Sequence, residues 1–277
     1  MNIKKRYDLI GYPLGHSLSP QIHTKLFELS GIDVEYKLTE IKPEELTGRY
    51  DYLNGLDGFN VTIPHKIPII KFCDELSEGA KRYESVNCVK NCGGKSIGYN
   101  TDVIGFVKSV EQLGASLESK VCLLGCGGVG RMMAIEAAYN KAELTVAVRE
   151  ADLETACGVK AEIEKVLPES RVNVIPLSQV KGGYDLVINS TPLGMYPKTE
   201  GSALQKEQLE GVKYLFDAVY NPKETTLLKY AKEMGVKAAS GMAMLVLQAV
   251  AAHEIWDGSE YGQGDIEALI SDMEKLV

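Results

Sequence analysis

Short β-branched and aromatic runs alternate along this chain with stretches of helical period, the pattern that builds parallel sheets covered by helices. In the first hundred residues the runs predict strands near Tyr7–Ile10, Val34–Leu38, Gly58–Val61, Val86–Lys90 and Ser96–Asn100. One helix is well marked among them. Ser19 suits the N-cap, Pro20 suits the first helical position, Ile22, Leu26 and Leu29 share a face, and Gly31 ends the run. From Lys120 the alternation becomes more regular, with strands predicted at Val121–Leu124, Leu144–Val148, Val172–Ile175, Leu186–Ile188 and Tyr214–Phe216. That describes a second, doubly wound unit. Two further helical runs, Met242–Ile255 and Asp265–Lys275, have no strand to alternate with. They are expected to fold back on the first unit and make it discontinuous in sequence.

Composition supports this division, since 277 residues correspond to about two domains and 45% hydrophobic residues supply two ordinary cores. Disordered, disulfide-stapled and collagen-like chains are excluded. Thirty-eight acidic against 30 basic side chains give a net charge of −8, which makes a nucleic-acid backbone or an anionic membrane a poor partner. The six cysteines, at 73, 88, 92, 122, 126 and 157, form no CxxC and meet no clustered histidines, so they read as reduced thiols. His16, His23, His65 and His253 show no metal-ligand spacing. The basic start, Lys4-Lys5-Arg6, has no apolar region behind it and is not a secretory signal. The longest apolar stretch, Met242 to Ala252, is too short to span a bilayer and contains Gln248. A soluble, cytoplasmic protein is expected.

The clearest chemical signal is Val121-Cys122-Leu123-Leu124 running into Gly125-Cys126-Gly127-Gly128-Val129-Gly130, followed by the apolar Met132-Met133-Ala134-Ile135. Strand, GxGxxG and helix stand in the order that dinucleotide binding requires. Gly125 permits the tight turn, Gly127 admits a pyrophosphate to the backbone, and Gly130 lets helix and strand pack closely. The helix N-terminus then offers free N–H groups and partial positive charge to the phosphates. After the next strand, in Val148-Arg149-Glu150, Arg149 suits adenine stacking or a 2′-phosphate, whereas Glu150 suits a free 2′-hydroxyl and repels a phosphate. Asp152 and Glu154 add acidity nearby, so the residues alone lean towards NAD or dual use.

In the first unit, three polar clusters follow predicted strands, where open α/β sheets bind ligands. They are Gly11–Pro20 with His16, Ser17 and Ser19; Phe59–Lys66 with Asn60 and Thr62; and Gly98–Asp102. Each has a plain structural reading: Ser19 as a helix cap, Lys66 as a solvated residue after Pro64, Asp102 as the N-cap of a helix beginning at Val103. Together they supply what reduction of a carbonyl on a polyhydroxylated acid needs, namely hydroxyl donors for a carboxylate, a proton donor and a carboxylate to orient it.

Family-type motifs recur in order through nearly the whole chain: Gly-Tyr-Pro-Leu-Gly-His-Ser-Leu-Ser-Pro at 11–20, Asn-Val-Thr-Ile-Pro-His-Lys at 60–66, Val-Asn at 86–87, Gly-Tyr-Asn-Thr-Asp at 98–102, and the glycine turn at 125–130. Asn-Ser-Thr-Pro-Leu-Gly-Met at 189–195, Asp-Ala-Val-Tyr-Asn-Pro at 217–222, and Gly-Met-Ala-Met-Leu at 241–245 ahead of Gln248 follow. In these the chain resembles the shikimate dehydrogenases, including the quinate/shikimate dehydrogenases. The resemblance implies that Ser17 and Ser19 hold the substrate carboxylate and that Lys66 and Asp102 form the catalytic pair. It implies that Asn60, Thr62, Asn87, Tyr220 and Gln248 contact the substrate's hydroxyls or carboxylate. Gly125, Cys126, Gly127, Gly128 and Val129 match the pyrophosphate loop, Arg149 and Glu150 lie at the adenosine end, and Ala218 and Gly241 match positions approaching the nicotinamide. Glu78 aligns with an acidic position sometimes assigned to the cofactor side. The implied reaction is reversible reduction of 3-dehydroshikimate to shikimate in the aromatic amino-acid pathway.

The largest departure lies at the cofactor end, where NADP-committed members show Asn-Arg-Thr and a second arginine four residues beyond the first. Here the stretch is Val148-Arg149-Glu150 and the later position is Leu153. NADP is implied by the family, with NAD or dual use and weaker 2′-phosphate discrimination implied by the departure. Ser85 and Cys88 around Val86-Asn87, Thr24 after His23, and Cys126 in the phosphate loop are smaller departures that replace no catalytic group. The competing readings are a quinate/shikimate dehydrogenase using NAD, a folate-linked dehydrogenase of similar plan, which lacks the substrate motifs, and a non-catalytic ligand sensor, which retention of Lys66 and Asp102 disfavours. The expected architecture is α/β in two domains: 1–102 plus 239–277 as the substrate domain, and 103–238 as a Rossmann-type dinucleotide domain. The crossings near Val103 and Ala239 are expected to act as a hinge.

Overall fold

The structure, a computed structural model, describes residues 4–15 and 17–277; His16, in the first polar cluster, lies outside the described residues. The chain divides into two compact units, Met1–Gly105 with Val246–Met273 and Phe106–Leu245 with Glu274–Val277. Where the expected boundaries stand at 102/103 and 238/239, the contacts divide the chain at 105/106 and 245/246, inside two helices.

The first unit begins with β1 (Lys5–Gly11), α1 (Ser19–Ser30), β2 (Val34–Glu40), α2 (Tyr50–Asn54), β3 (Gly58–Val61), β4 (Glu75–Leu76), α3 (Glu78–Tyr83), β5 (Cys88–Cys92) and β6 (Lys95–Tyr99), and then enters α4 (Asp102–Leu113). Its sheet has the order β2-β1-β3-β5-β6-β4. This sheet is mixed rather than parallel: β1 pairs in parallel with β2 and β3, whereas β5 lies antiparallel to β3 and β6. For β5 and β6 the reason is local. Cys92 and Lys95 are paired across a two-residue connection, Gly93-Gly94, with φ +60° and +79°, and such a turn can only join antiparallel strands. The β4 strand, only two residues long, carries too little pattern to be read in advance.

The second unit runs through β7 (Lys120–Leu124), α5 (Gly128–Tyr139), β8 (Glu143–Val148), α6 (Leu153–Val166), β9 (Arg171–Pro176), β10 (Leu186–Asn189), β11 (Tyr214–Asp217), α7 (Thr226–Glu233) and β12 (Lys237–Ser240). Every pair in its sheet is parallel, in the order β12-β11-β10-β7-β8-β9. Counted from β7 this is 3-2-1-4-5-6, with the direction of winding reversing between β7 and β10, so the ligand crevice falls at the carboxyl ends of those two strands. Edge strand β12, Lys-Ala-Ala-Ser, lacks the β-branched run that marks its neighbours and is held by register with β11.

The helices α8 (Met242–Asp257) and α9 (Gln263–Glu274) close the chain. The end of α8 completes the first unit, where Trp256 stacks on Tyr7 with centroids 4.6 Å apart and donates its indole N–H to Val89 O at 2.9 Å. Alternation along β5 sends Cys88 into this cluster with Tyr7 and Phe27, and Val89 to the opposite face with Ile10, Phe59 and Val61. The α1 helix starts as Pro20 dictates and ends at Gly31 with φ +68°, but two details differ from expectation. Leu18 occupies the cap position without a side-chain bond, so Ser19 is no cap. Leu29 is 45% exposed, and the buried stripe is Ile22, His23, Leu26 and Phe27. No helix among the described residues is long and apolar enough to cross a membrane.

Candidate active site

Three backbone junctions in the first unit carry the polar clusters. Beyond β3 the chain turns at Thr62–His65, with His65 N–H donating to Thr62 O at 2.9 Å. The His65 ring is buried beneath this turn and donates Nε2–H to Ile41 O at 2.6 Å, because a carbonyl can only accept. Lys66 follows, and its carbonyl accepts Val86 N–H at 2.8 Å, tying the loop to the segment that carries Asn87. Asp102 opens α4, where the helix N-terminus favours a negative side chain.

These junctions bring Lys66, Asn87, Asp102 and Gln248 into one network. Lys66 Nζ donates to Asp102 Oδ2 at 2.7 Å, with the two side chains 23% and 17% exposed. Asn87 Nδ2 donates to Asp102 Oδ1 and to Thr101 Oγ1, both at 2.9 Å, and lies 3.4 Å from Gln248 Oε1. Thr101 N–H donates to Asn87 Oδ1 at 2.6 Å; since that backbone group can only donate, it determines which way the Asn87 amide faces. The plain readings of Lys66 and Asp102 are therefore replaced: Lys66 is paired rather than simply solvated, and Asp102 is itself the first residue of α4, with its two oxygens engaged by Lys66 and Asn87.

Asn60 sits beside this network, 4% exposed, with Nδ2 3.4 Å from Asn87 O and Oδ1 accepting from Tyr36 Oη at 2.9 Å. Thr62 donates its N–H to Ile10 O at 2.9 Å, which draws the second cluster against the strand carrying the first. Ser17 Oγ accepts Ser19 N–H at 3.2 Å, so both hydroxyls lie at the start of α1. Glu78 is exposed at the start of α3.

In the second unit Gly125, Cys126 and Gly127 connect β7 to α5, which begins at Gly128. Gly125 has φ +89°, a conformation costly for any residue with a Cβ. A Cβ on Gly130 would lie 2.5 Å from Ser190 Oγ and 2.9 Å from Gly125 O, so the helix can pack this closely only with glycine there. Among the described residues, nothing lies within 4 Å of the Cβ positions of Gly127 or Gly128. Exposed helix N–H groups under an open glycine surface fit a dinucleotide pyrophosphate. Burial pushes the Cys126 thiol up to about 11, so it is neutral at ordinary pH. Arg149 is engaged by Asp152, Nε to Oδ2 at 2.6 Å and Nη2 to Oδ1 at 3.2 Å, while Glu150 lies in the turn after β8.

Ala218 and Gly241 are brought together: Gly241 N–H donates to Val219 O at 3.1 Å, and a Cβ on Gly241 would collide with the Ala218 carbonyl. Beneath them is a network that lies within the motifs apart from Thr225 and has no signature of its own in the sequence. Asn189 Nδ2 and Val219 N–H donate to Asp217 Oδ1 at 2.8 and 3.1 Å, and Thr225 Oγ1 donates to Oδ2 at 2.6 Å. Burial raises the Asp217 carboxyl, against the lowering effect of these donors. Asn189 Oδ1 in turn accepts Thr191 N–H and Oγ1–H at 3.0 and 2.7 Å. The loops after β10 and β11, including Tyr220, are thus built around buried side chains at the strand ends. Thr101 and Tyr36, bonded to Asn87 and Asn60, are further partners of the candidate residues that sequence reasoning misses; Thr101 lies inside one of the motifs, whereas Tyr36 lies in none.

Comparison with known proteins agrees with the motifs. The family model described as the shikimate dehydrogenase substrate binding domain matches residues 9–89. A shikimate dehydrogenase (NADP+) of Bacillus cereus is 38% identical over 265 residues, covering 92% of this chain and 94% of its own length. A shikimate dehydrogenase crystallised with NADP+ superposes with a TM-score of 0.90 at 36% identity, covering 98% of this chain and 96% of that one. The shikimate 5-dehydrogenase of Thermus thermophilus, solved with NADP(H) and shikimate, has a TM-score of 0.86 at 28% identity, covering 97% and 99%.

Proposed function

This chain belongs to the shikimate dehydrogenase family, and on that premise we propose that it catalyses the reversible, NADP-dependent reduction of 3-dehydroshikimate to shikimate. The observation that carries the reading is the Lys66–Asp102 pair at 2.7 Å, partly open to solvent and braced by Asn87. A cation held by a carboxylate at a ligand site is equipped to move a proton at a carbonyl oxygen.

In this scheme the Ser17 and Ser19 hydroxyls hold the substrate carboxylate. Asn60, Thr62, Asn87, Tyr220 and Gln248 hold its hydroxyls or carboxylate. Lys66 delivers a proton to the oxygen of the ring carbonyl during reduction and recovers it during oxidation, while Asp102 keeps the ammonium in place and Asn87 keeps Asp102 in place. The nicotinamide, when bound, supplies the hydride that adds to the carbonyl carbon. Gly125 to Val129 hold the pyrophosphate through backbone N–H groups, and Ala218 and Gly241 line the nicotinamide end. Arg149 serves the adenosine 2′-phosphate, but Asp152 competes for its guanidinium, and Leu153 stands where committed relatives carry a second arginine. Discrimination between NADP and NAD is therefore weaker than in such relatives.

A two-by-two assay of shikimate or quinate with NADP or NAD tests both parts. The expected result is turnover of shikimate with NADP and measurable turnover with NAD. Faster turnover of quinate with NAD would replace the reading with a quinate/shikimate dehydrogenase, and an NADP preference above about a thousandfold, or about 4 kcal/mol, would remove the claim of weak discrimination.

A further inference from the structure

Tyr36 lies on edge strand β2, opposite Tyr7 of β1 in the parallel ladder. Its hydroxyl donates to Asn60 Oδ1 at 2.9 Å. Two constraints set the direction of this bond. Asn60 Nδ2 faces Asn87 O at 3.4 Å, and a carbonyl accepts only from the amino side of the amide, which turns Oδ1 towards Tyr36. An oxygen facing the phenol requires the phenol to donate, and burial holds the Tyr36 hydroxyl protonated by raising its pKa well above the ordinary value.

The ring is itself clamped. His23 stacks on it with centroids 4.4 Å apart and planes at 14°. Tyr261 Oη donates to Leu26 O at 3.1 Å, so it accepts Nδ1–H of His253 at 2.8 Å. His253 Nε2 is then free of a proton and accepts Nδ1–H of His23 at 3.0 Å. A run of bonds with one consistent direction thus holds the plate on which Tyr36 lies.

From this arrangement we propose that Tyr36 is a positioning residue for the substrate site, locking the Asn60 amide so that it presents its N–H, and not its carbonyl, to a substrate hydroxyl. One Asn60 amide hydrogen is directed at Asn87 O, and the other is the donor offered to the ligand. Asn60 alone, rotated about its last bond, would present either group; Asn87 O, which can only accept, selects the first, and the Tyr36 hydroxyl holds the amide there by donating to Oδ1, which lowers the cost of ordering it on binding. The inference rests on the reading of Asn60 as a substrate contact.

The test compares Tyr36→Phe, Asn60→Ala and the double variant by steady-state kinetics with shikimate and NADP. Tyr36→Phe keeps the ring and its stack and removes one bond. The expected result is a rise of about tenfold in KM for shikimate, the scale of one hydrogen bond to a buried group, with kcat within about threefold, KM for NADP unchanged and the double variant no worse than Asn60→Ala. A purely structural role would change both KM values or lower the melting temperature without this split, and would overturn the proposal. An unchanged KM for shikimate in Tyr36→Phe, or additive effects in the double variant, would overturn it as well. Should Asn60→Ala itself leave KM for shikimate unchanged, the assignment of Asn60 fails and the role of Tyr36 fails with it.

Discussion

Asp102 does two things through two oxygens: Oδ2 takes the ammonium of Lys66 and Oδ1 takes the amide of Asn87. Losing the carboxylate therefore disturbs both orientation and charge, whereas losing Lys66 removes the proposed proton donor outright. Lys66→Ala is expected to lower kcat by about 10²- to 10⁴-fold, the usual contribution of a general acid, with melting temperature and KM for NADP near those of the unaltered enzyme. Near-normal turnover of a folded Lys66→Ala protein would take Lys66 out of the chemistry. Both residues stand out in the sequence because they lie in motifs at the ends of predicted strands. Their pairing across 36 positions does not, since it depends on Val86 bonding to the Lys66 carbonyl and on where α4 begins.

At the level of elements, the β7–loop–α5 unit is the most legible part of the chain. A turn whose first residue needs φ +89° and whose last needs contact with a neighbouring strand end admits few sequences. The Gly130→Ala variant places a Cβ against Ser190 Oγ and Gly125 O. Relief requires the loop after β10 or the start of α5 to shift, at about 1–3 kcal/mol. KM for NADP is expected to rise by about tenfold or more while KM for shikimate changes little, as measured by varying each ligand separately. Equal effects on both ligands would argue against the loop as the pyrophosphate site. The mixed first sheet shows the opposite case: the same alternation of strands and helices is compatible with a parallel sheet, and only the Gly93-Gly94 turn reverses β5 against β6.

Over the whole molecule, the discontinuous first unit places His23 from the N-terminal part and His253 from the C-terminal part in one buried cluster. Burial lowers both pKa values, that of His23 with a further contribution from His253, and that of His253 to about 4 against an opposing effect of Asp257. In the unfolded chain each imidazole titrates near 6.5. Above that pH both states are neutral and the cluster is intact. As pH falls from about 6.5 towards about 4, the unfolded chain takes up protons that the folded one refuses, so stability declines. The His253 contribution amounts to about 3 kcal/mol over that range. Denaturant unfolding between pH 7 and pH 5, before most carboxylates titrate, should show this slope, and His253→Gln should flatten it. An identical slope in the variant would assign the loss to other groups.

Local patterns are enough to read the strands β1, β2, β3, β7 and β8, the phosphate turn, and the residue types needed for carbonyl reduction. Each of those depends on spacing or backbone conformation within a few residues. The pairing of β5 against β3, the edge strand β12, the engagement of Asp102 by Lys66 and Asn87, and the supports behind Asn60 and the loops after β10 and β11 come from the tertiary structure. These are choices among partners distant in sequence, made by which buried donors find acceptors, and hydrophobic periodicity carries no record of them.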